Sequence, residues 1–244
     1  MWSSLEHIIQ PDNLTEALAL KKEPGSVIFT GGSYLVSQKN QNVSTLIDIN
    51  HLLDDNVETL SAELRVGAAC SLQELSRVAN PALADAIVYS CPSKNIRNQR
   101  TLGGEIAQNR PDSDLLVYLH AAEAKLQINE SGDLIHIADW NRNGIISMIY
   151  IPQNNTTLER VSVLDSAIAY VIVAVHQTPE YIILSIGGRS TKIIYYKAPL
   201  LPEETQIRKF MEKIESIFVD DHFGSPAYKR QIASNLLTEM MVTS

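Results

Sequence analysis

The stretch Ile96-Arg97-Asn98-Gln99-Arg100-Thr101-Leu102-Gly103-Gly104-Glu105-Ile106-Ala107 sets a glycine pair between polar residues and the start of a helix. Glycine is scarce in this chain, 11 in 244 residues, yet it occurs as pairs at Gly31-Gly32, Gly103-Gly104 and Gly187-Gly188. Two adjacent residues without Cβ let the backbone take positive φ and let a ligand approach its N–H groups closely, which is how phosphate cradles are built. Pro111-Asp112-Ser113-Asp114 then has the residues of a helix start, and Leu115, Leu116, Leu119 and Ala122 follow as an apolar stripe. A helix N-terminus facing the glycines favours an anion there. The same pair also suits a tight strand-to-helix turn with no ligand, and for a lone Gly-Gly that plainer reading comes first.

Upstream of this stretch, Asn13 and Glu16 have capping-box spacing, so a helix over Leu14, Ala17 and Leu18 is expected, ending by Pro24-Gly25. Val27-Ile28-Phe29 reads as a buried strand running into Thr30-Gly31-Gly32-Ser33, with a helical turn at Tyr34-Leu35-Val36 and a β-rich segment at Thr45-Leu46-Ile47-Asp48-Ile49. Leu64-Arg65-Val66-Gly67 suits a strand, Ser71-Leu72-Gln73-Glu74 a capping box that turns Leu72, Leu75 and Val78 inward, and Pro81 a further helix start. Downstream, 124–129 alternates apolar with polar, and Glu130-Ser131-Gly132-Asp133 turns it back toward Leu134-Ile135-His136-Ile137 as an antiparallel hairpin.

The polar segment 153–157 lacks an apolar period and marks a boundary. Beyond it two β-rich runs, 168–175 and 181–186, precede Ile207, Phe210, Met211, Ile214, Ile217 and Phe218 at helical spacing. A last helix starts at Ser225-Pro226 and carries Tyr228, Ile232, Leu236 and Met240. The pattern is α+β, a sheet covered by two helices in the second part, and its order argues against a doubly wound Rossmann domain.

Composition narrows the function. A net charge of −8 argues against a nucleic-acid partner, which draws its affinity from clustered Lys and Arg. Two cysteines, Cys70 and Cys91, cannot assemble a disulfide framework or a cysteine-ligated cluster from this chain alone. The start Met1-Trp2-Ser3-Ser4-Leu5-Glu6 carries no secretory signal and the longest apolar run, nine residues from 167 to 175, is too short to span a bilayer, so a cytoplasmic protein without a membrane span is expected. The six histidines share no metal-ligand spacing, and neither a Gly-x-Ser-x-Gly elbow nor a Walker sequence occurs. Asp220-Asp221-His222 has acid–base residue types but reads first as a loop before the Ser225-Pro226 helix, and Gly187-Gly188 with Arg189 reads first as a turn between strands. No catalytic side chain and no metal site is therefore assigned. Two Gly-Gly turns at strand ends without side-chain chemistry beside them point to an extended phosphorylated cofactor that brings the reactivity.

Along nearly its whole length the chain resembles the FAD-binding subunit of the molybdenum hydroxylases, the xanthine dehydrogenase and carbon monoxide dehydrogenase group. Thr30-Gly31-Gly32-Ser33-Tyr34-Leu35 looks like that family's first flavin loop and Leu46-Ile47-Asp48-Ile49 like the strand after it. The stretch from Ile96 to Ala107, with Pro111 and Asp114, looks like the second loop, and Gly224-Ser225-Pro226-Ala227-Tyr228-Lys229-Arg230 is similar to the start of the family's last helix. The resemblance implies a two-subdomain FAD-binding module of the PCMH/vanillyl-alcohol-oxidase type over 1–155, with subdomains of about 1–50 and 51–155, then a C-terminal sheet-plus-helices domain over 156–244. It implies that Gly31, Gly32, Ser33, Gly103 and Gly104 hold the FAD diphosphate through backbone N–H groups, with Thr30, Tyr34, Leu35, Thr101 and Ile106 in the loops around them. It implies Asp114 on the adenosine ribose and Arg160 near the flavin ring. Glu105 stands where family members commonly have Asn, and Arg110 where they have a small residue, so Arg110 or Arg100 has to offset a carboxylate beside the diphosphate.

The implied function is electron transfer: FAD in this subunit takes electrons from the 2Fe–2S clusters of an iron–sulfur subunit, serves a molybdopterin-binding subunit of the same complex, and passes them to NAD(P)+ or another acceptor. The competing expectation, motivated by Glu105 and a short C-terminal half, is a family member that has lost FAD and acts as a structural or assembly subunit.

Overall fold

The structure, a computed structural model, describes residues 2–129 and 131–242; Met1 and Glu130, which entered the readings of the N-terminus and of the hairpin turn, lie outside the described residues. The fold is α+β, with three sheets among the described residues. The first joins β1 (His7–Ile9), β2 (Ser26–Phe29) and β3 (Thr45–Asp48) in parallel, in the order β1-β3-β2. The second joins β4 (Val57–Thr59), β5 (Glu63–Gly67), β6 (Lys125–Ile128), β7 (Leu134–His136) and β8 (Ile146–Pro152) in the order β4-β5-β8-β6-β7. The third joins β9 (Thr157–Val161), β10 (Val171–Gln177), β11 (Tyr181–Gly188) and β12 (Ile194–Pro199), all antiparallel, in the order β12-β11-β10-β9. The helices are α1 (Leu14–Leu20), α2 (Ser33–Gln38), α3 (Leu72–Val78), α4 (Pro81–Ser90), α5 (Lys94–Arg97), α6 (Leu102–Gln108), α7 (Asp114–Ala121), α8 (Glu203–Lys213) and α9 (Pro226–Val242).

By contacts the chain divides into two compact units that interleave along the sequence: Met1–Val78, Ser93–Gln108 and Lys125–Tyr150 form one, Ala79–Pro92, Asn109–Ala124 and Ile151–Ser244 the other. The chain passes between them after Val78, Pro92, Gln108, Ala124 and Tyr150, where linear divisions near 50 and 155 were expected. The segment 153–157 owes its polarity to a tight connection: Asn154 Oδ1 accepts from the N–H and the hydroxyl of Thr156, which is buried, and β9 starts at the next residue.

In the first unit the capping signals act as the sequence suggests. Asn13 Oδ1 accepts from the Glu16 N–H at 2.9 Å while Glu16 Oε2 accepts from the Asp12 N–H at 2.7 Å, which fixes the start of α1. That helix buries Leu14 and Ala17 against Ile47, Ile49 and Ile145. Ser71 Oγ accepts from the Glu74 N–H and opens α3. The hairpin also forms, Lys125 pairing with His136 and Gln127 with Leu134.

The second unit is built on a sheet with two different faces. Val171, Val173 and Val175 with Ile182, Leu184 and Ile186 pack against Phe210 and Met211 of α8 and Ala233, Leu237 and Met240 of α9. Each fully buried aliphatic side chain contributes about 1.5–3 kcal/mol. Ile172 and Ala174 face the other way, against Val117 and Ala121 of α7. Here Gly187 is a packing residue, not a turn: it pairs with Ile172 near the end of β11, and a Cβ on it would stand 2.6 Å from Val117 Cγ2. Ser225 Oγ accepts from the Tyr228 N–H and starts α9, but the buried stripe of that helix is Ala233, Leu237 and Met240, and Tyr228 is exposed. Helix α8 ends at Lys213, so Ile214, Ile217 and Phe218 reach the same core from the segment after it. Among the described residues no helix is long and apolar enough to cross a membrane.

Candidate functional site

Both glycine stretches of interest lie in the first unit and touch one another directly. A Cβ on Gly31 would fall 1.8 Å from the Gln99 carbonyl oxygen, so only glycine allows the two chain segments to meet there. Thr30 Oγ1 and Thr101 Oγ1 are 3.0 Å apart and share a hydrogen bond, and Arg100 Nε donates to Ser33 Oγ at 3.3 Å. Three contacts thus join the loop after β2 to the segment before α6.

The two pairs differ in what their backbones do. Gly32 takes φ +69° as the N-cap of α2, with no side-chain cap. Among the described residues none accepts a hydrogen bond from the N–H groups of Gly31, Gly32, Ser33, Tyr34 or Leu35. Gly103 and Gly104, expected in a loop ahead of a helix, form the first turn of α6 itself. Their φ angles are not positive, and they are glycine for closeness: a Cβ on Gly103 would lie 2.8 Å from Ala68 Cβ, and one on Gly104 2.7 Å from Thr101 Oγ1. The Gly103 N–H donates to the Ala68 carbonyl at 2.9 Å and the Gly104 N–H to Thr101 Oγ1 at 3.2 Å. Of the two pairs, the first is the one whose N–H groups have no protein acceptor among the described residues.

A cavity of about 280 Å³ opens where these stretches meet. Of the sequence-selected residues, Thr30, Gly32, Ser33, Tyr34, Leu35, Thr101, Gly103 and Gly104 line it; Gly31 and Ile106 lie behind that wall, Gly31 against Gln99 and Ile106 buried. Ile28, Ile49, Leu53, Ile145 and Ile146 supply apolar wall, and Trp140 and Arg142 join it from the loop ahead of β8. Those two, with Lys21, are lining residues the sequence did not single out; the only signal was an aromatic and a cation in an otherwise polar segment, Asp139-Trp140-Asn141-Arg142-Asn143-Gly144. Charge on the wall is lopsided. Lys21, Arg100 and Arg142 stand against one carboxylate, Glu105, in a chain whose net charge is −8. Glu105 is 2% exposed and sits 3.3 Å from Arg100 Nη1, so Arg100 offsets its charge; Arg110 stands 3.7 Å from Asp112.

Asp114 and Arg160 belong to the second unit and are bound to each other. Arg160 Nε donates to Asp114 Oδ1 at 2.9 Å, Nη1 to the Asp165 carbonyl at 2.7 Å and Nη2 to the Ala167 carbonyl at 2.6 Å, and the guanidinium lies 4.6 Å from the centre of the Tyr89 ring. Burial pushes the Asp114 carboxyl up to about 6 even though Arg160 pulls it down. The roles implied for them, ribose at one end of an extended dinucleotide and flavin ring at the other, cannot both be filled while the two side chains stay in contact. Asp221 likewise is a clamp: Arg189 Nε and Lys229 Nζ both donate to it, and the Lys229 bond, before any other cause, holds its carboxyl down at about 2.

The residues fit a dinucleotide diphosphate on three counts: unsatisfied N–H groups at a glycine turn, an excess of cations, and an apolar wall for a ring system. Similarity to known proteins agrees. The family described as FAD binding domain in molybdopterin dehydrogenase matches residues 3–143. The uncharacterized protein YgfM of Escherichia coli (strain K12) is 29% identical over 252 aligned residues, covering 97% of this chain and 95% of its own. Carbon monoxide dehydrogenase from Hydrogenophaga pseudoflava superposes with a TM-score of 0.72 at 16% identity over 96% of this chain and 95% of that one. Quinoline 2-oxidoreductase from Pseudomonas putida 86 does so with a TM-score of 0.70 at 16% identity, over 98% and 96%. With that family covering more than half of its length, the chain belongs to the FAD-binding domain family of the molybdopterin dehydrogenases, and its cofactor is FAD.

Proposed function

We propose that the chain is the electron-relaying FAD subunit of a molybdenum hydroxylase complex, standing between the 2Fe–2S clusters of an iron–sulfur partner and NAD(P)+ or another soluble acceptor, beside a molybdopterin-binding subunit. The observation that carries this reading is the cavity itself: the two glycine stretches meet in it and three cations line it against one carboxylate, in a chain that is acidic as a whole. A carbon monoxide dehydrogenase and a quinoline 2-oxidoreductase among the similar structures support a place in an oxidoreductase of this family. When bound, FAD supplies the exchange between one-electron and two-electron carriers.

The chain's own residues bind and orient. The N–H groups of Gly32 to Leu35 and the Arg100 guanidinium hold the diphosphate, the glycines of α6 keep side chains out of its path, and the apolar wall with Trp140 excludes water from a ring. Thr101 supports this arrangement through Thr30. The alternative of a member without FAD rested on Glu105 and on a short C-terminal half; Arg100 stands beside that charge, and the chain matches 95% of the carbon monoxide dehydrogenase chain it resembles. The test is direct: denature the purified protein, identify any flavin in the supernatant, and add FAD to the stripped protein while following its melting temperature. FAD release and a concentration-dependent rise are expected, since a ligand specific for the folded state stabilises it. No flavin released and no rise would overturn the assignment.

A further inference from the structure

We propose that Arg100 is shared between Glu105 and the cofactor diphosphate, and that Glu105 restrains FAD binding below what the cavity would otherwise reach. This rests on the FAD reading above. Arg100 is 17% exposed, lines the cavity, and reaches Ser33 Oγ through Nε and Glu105 through Nη1, both at 3.3 Å. Those lengths exceed the 2.7–2.9 Å or so of a well-seated charge-assisted bond. Nη2 has no hydrogen-bond partner among the described residues. A guanidinium held loosely on two sides, with a donor to spare, suits a second planar acceptor, and phosphate oxygens offer that match.

Glu105 is buried in the same wall, where a charge is screened far less than at the surface. The other charged groups on the cavity, Lys21 and Arg142, are exposed and screened by water. In that wall Arg100 and Glu105 therefore face one another with opposite charges. An incoming diphosphate must draw Arg100 toward itself against the pull of Glu105. Neutralising that residue gives the whole guanidinium to the ligand.

The experiment titrates flavin-stripped, full-length protein with FAD and, separately, with riboflavin, which has no phosphate, and follows flavin fluorescence. Glu105→Gln and, as a shorter neutral side chain, Glu105→Asn are compared with wild type and with the Arg100→Gln/Glu105→Gln double variant. The double variant avoids stranding Glu105 without its cation. Each single variant is expected to tighten FAD about tenfold with riboflavin unchanged, a gain of about 1.4 kcal/mol and well within the reach of one charge at this depth. The double variant is expected to lose that gain. FAD affinity equal to or weaker than wild type in both single variants, an equal gain for riboflavin, or failure of both to fold would overturn the proposal while leaving the FAD reading intact. A wild-type protein that binds no FAD would overturn the FAD reading itself and this proposal with it.

Discussion

Two buried arginine–carboxylate pairs, one in each unit, look alike in sequence and differ in what they can do. Arg160 is 8% exposed, each of its three nitrogens donates to an acceptor, and Tyr89 covers its face. Arg100 is 17% exposed, its two bonds are long, and it stands on a cavity. Every nitrogen of Arg160 has an acceptor, so the first pair can only be broken; Nη2 of Arg100 has none among the described residues, so the second can be redistributed. Residue type does not separate a structural clamp from a ligand contact, but a guanidinium nitrogen left without any acceptor does.

The largest effect should come from breaking the Arg160–Asp114 pair. Arg160→Leu leaves Asp114, 1% exposed, without its cation and removes the tether on the Asp165 and Ala167 carbonyls, at a cost of about 3–5 kcal/mol. Urea denaturation at pH 8 reads that loss. FAD affinity per folded molecule should change little, and a folded variant that has lost its flavin would return Asp114 or Arg160 to the cofactor and erase the difference between the two pairs.

A smaller effect follows from titration of the same carboxyl. Unfolded, an aspartate titrates near 3.9; in the fold burial raises Asp114 to about 6. The folded state therefore holds this proton more tightly, and the stability Asp114 contributes is fully present below about pH 4 and lost as pH rises through about 6, by up to about 3 kcal/mol. His176 acts in the opposite sense: burial lowers its pKa, so its contribution is present above the usual imidazole range and lost as pH falls through it. Asp221, held down at about 2, contributes stability above the unfolded value that is lost only as pH falls toward 2, outside this window. The quantity to measure is thus the difference in unfolding free energy between wild type and Asp114→Asn from pH 4 to 8. It should shift in favour of Asp114→Asn as pH rises, and a flat difference would show that Asp114 titrates normally.

What the sequence disclosed was chiefly local. Asn13, Ser71 and Ser225 announce their helices because a cap is a bond to a residue three positions on, and the hairpin at β6 and β7 is legible because alternation is local too. The position of Gly103 and Gly104 inside α6 was hidden because glycine is a poor helix former, and the packing of Ala68 that selects it comes from a distant part of the chain. The Arg160–Asp114 bond spans 46 residues and has no sequence signature. Strand β1 was missed because it has three residues, all exposed, and is defined only by its ladder to β3. The interleaving of the two units follows likewise from long-range packing.

The smallest predicted effect sharpens the comparison from the side of the cavity. Thr101 Oγ1 shares a hydrogen bond with Thr30 Oγ1 and accepts from the Gly104 N–H, so one hydroxyl joins the first loop to the first turn of α6. Thr101→Val keeps the β-branched shape and removes both bonds, leaving the Gly104 N–H without its acceptor. The expected cost is about 1–2 kcal/mol, well below that of Arg160→Leu because no charge is stranded. Thr30→Val removes only the shared bond and should cost about half as much, within the usual range for one hydrogen bond. Thr101→Ser, which retains the hydroxyl, should recover most of the loss. In thermal melts with and without FAD, Thr101→Val should lower the melting temperature in both conditions and reduce the FAD-induced rise only modestly, because the hydroxyl positions the loop while Arg100 and the first-loop N–H groups carry the ligand. If Thr101→Val abolished the FAD-induced rise while leaving the stripped protein's melting unchanged, the hydroxyl itself would be a ligand contact, and the cavity would depend on Thr101 more than on Arg100.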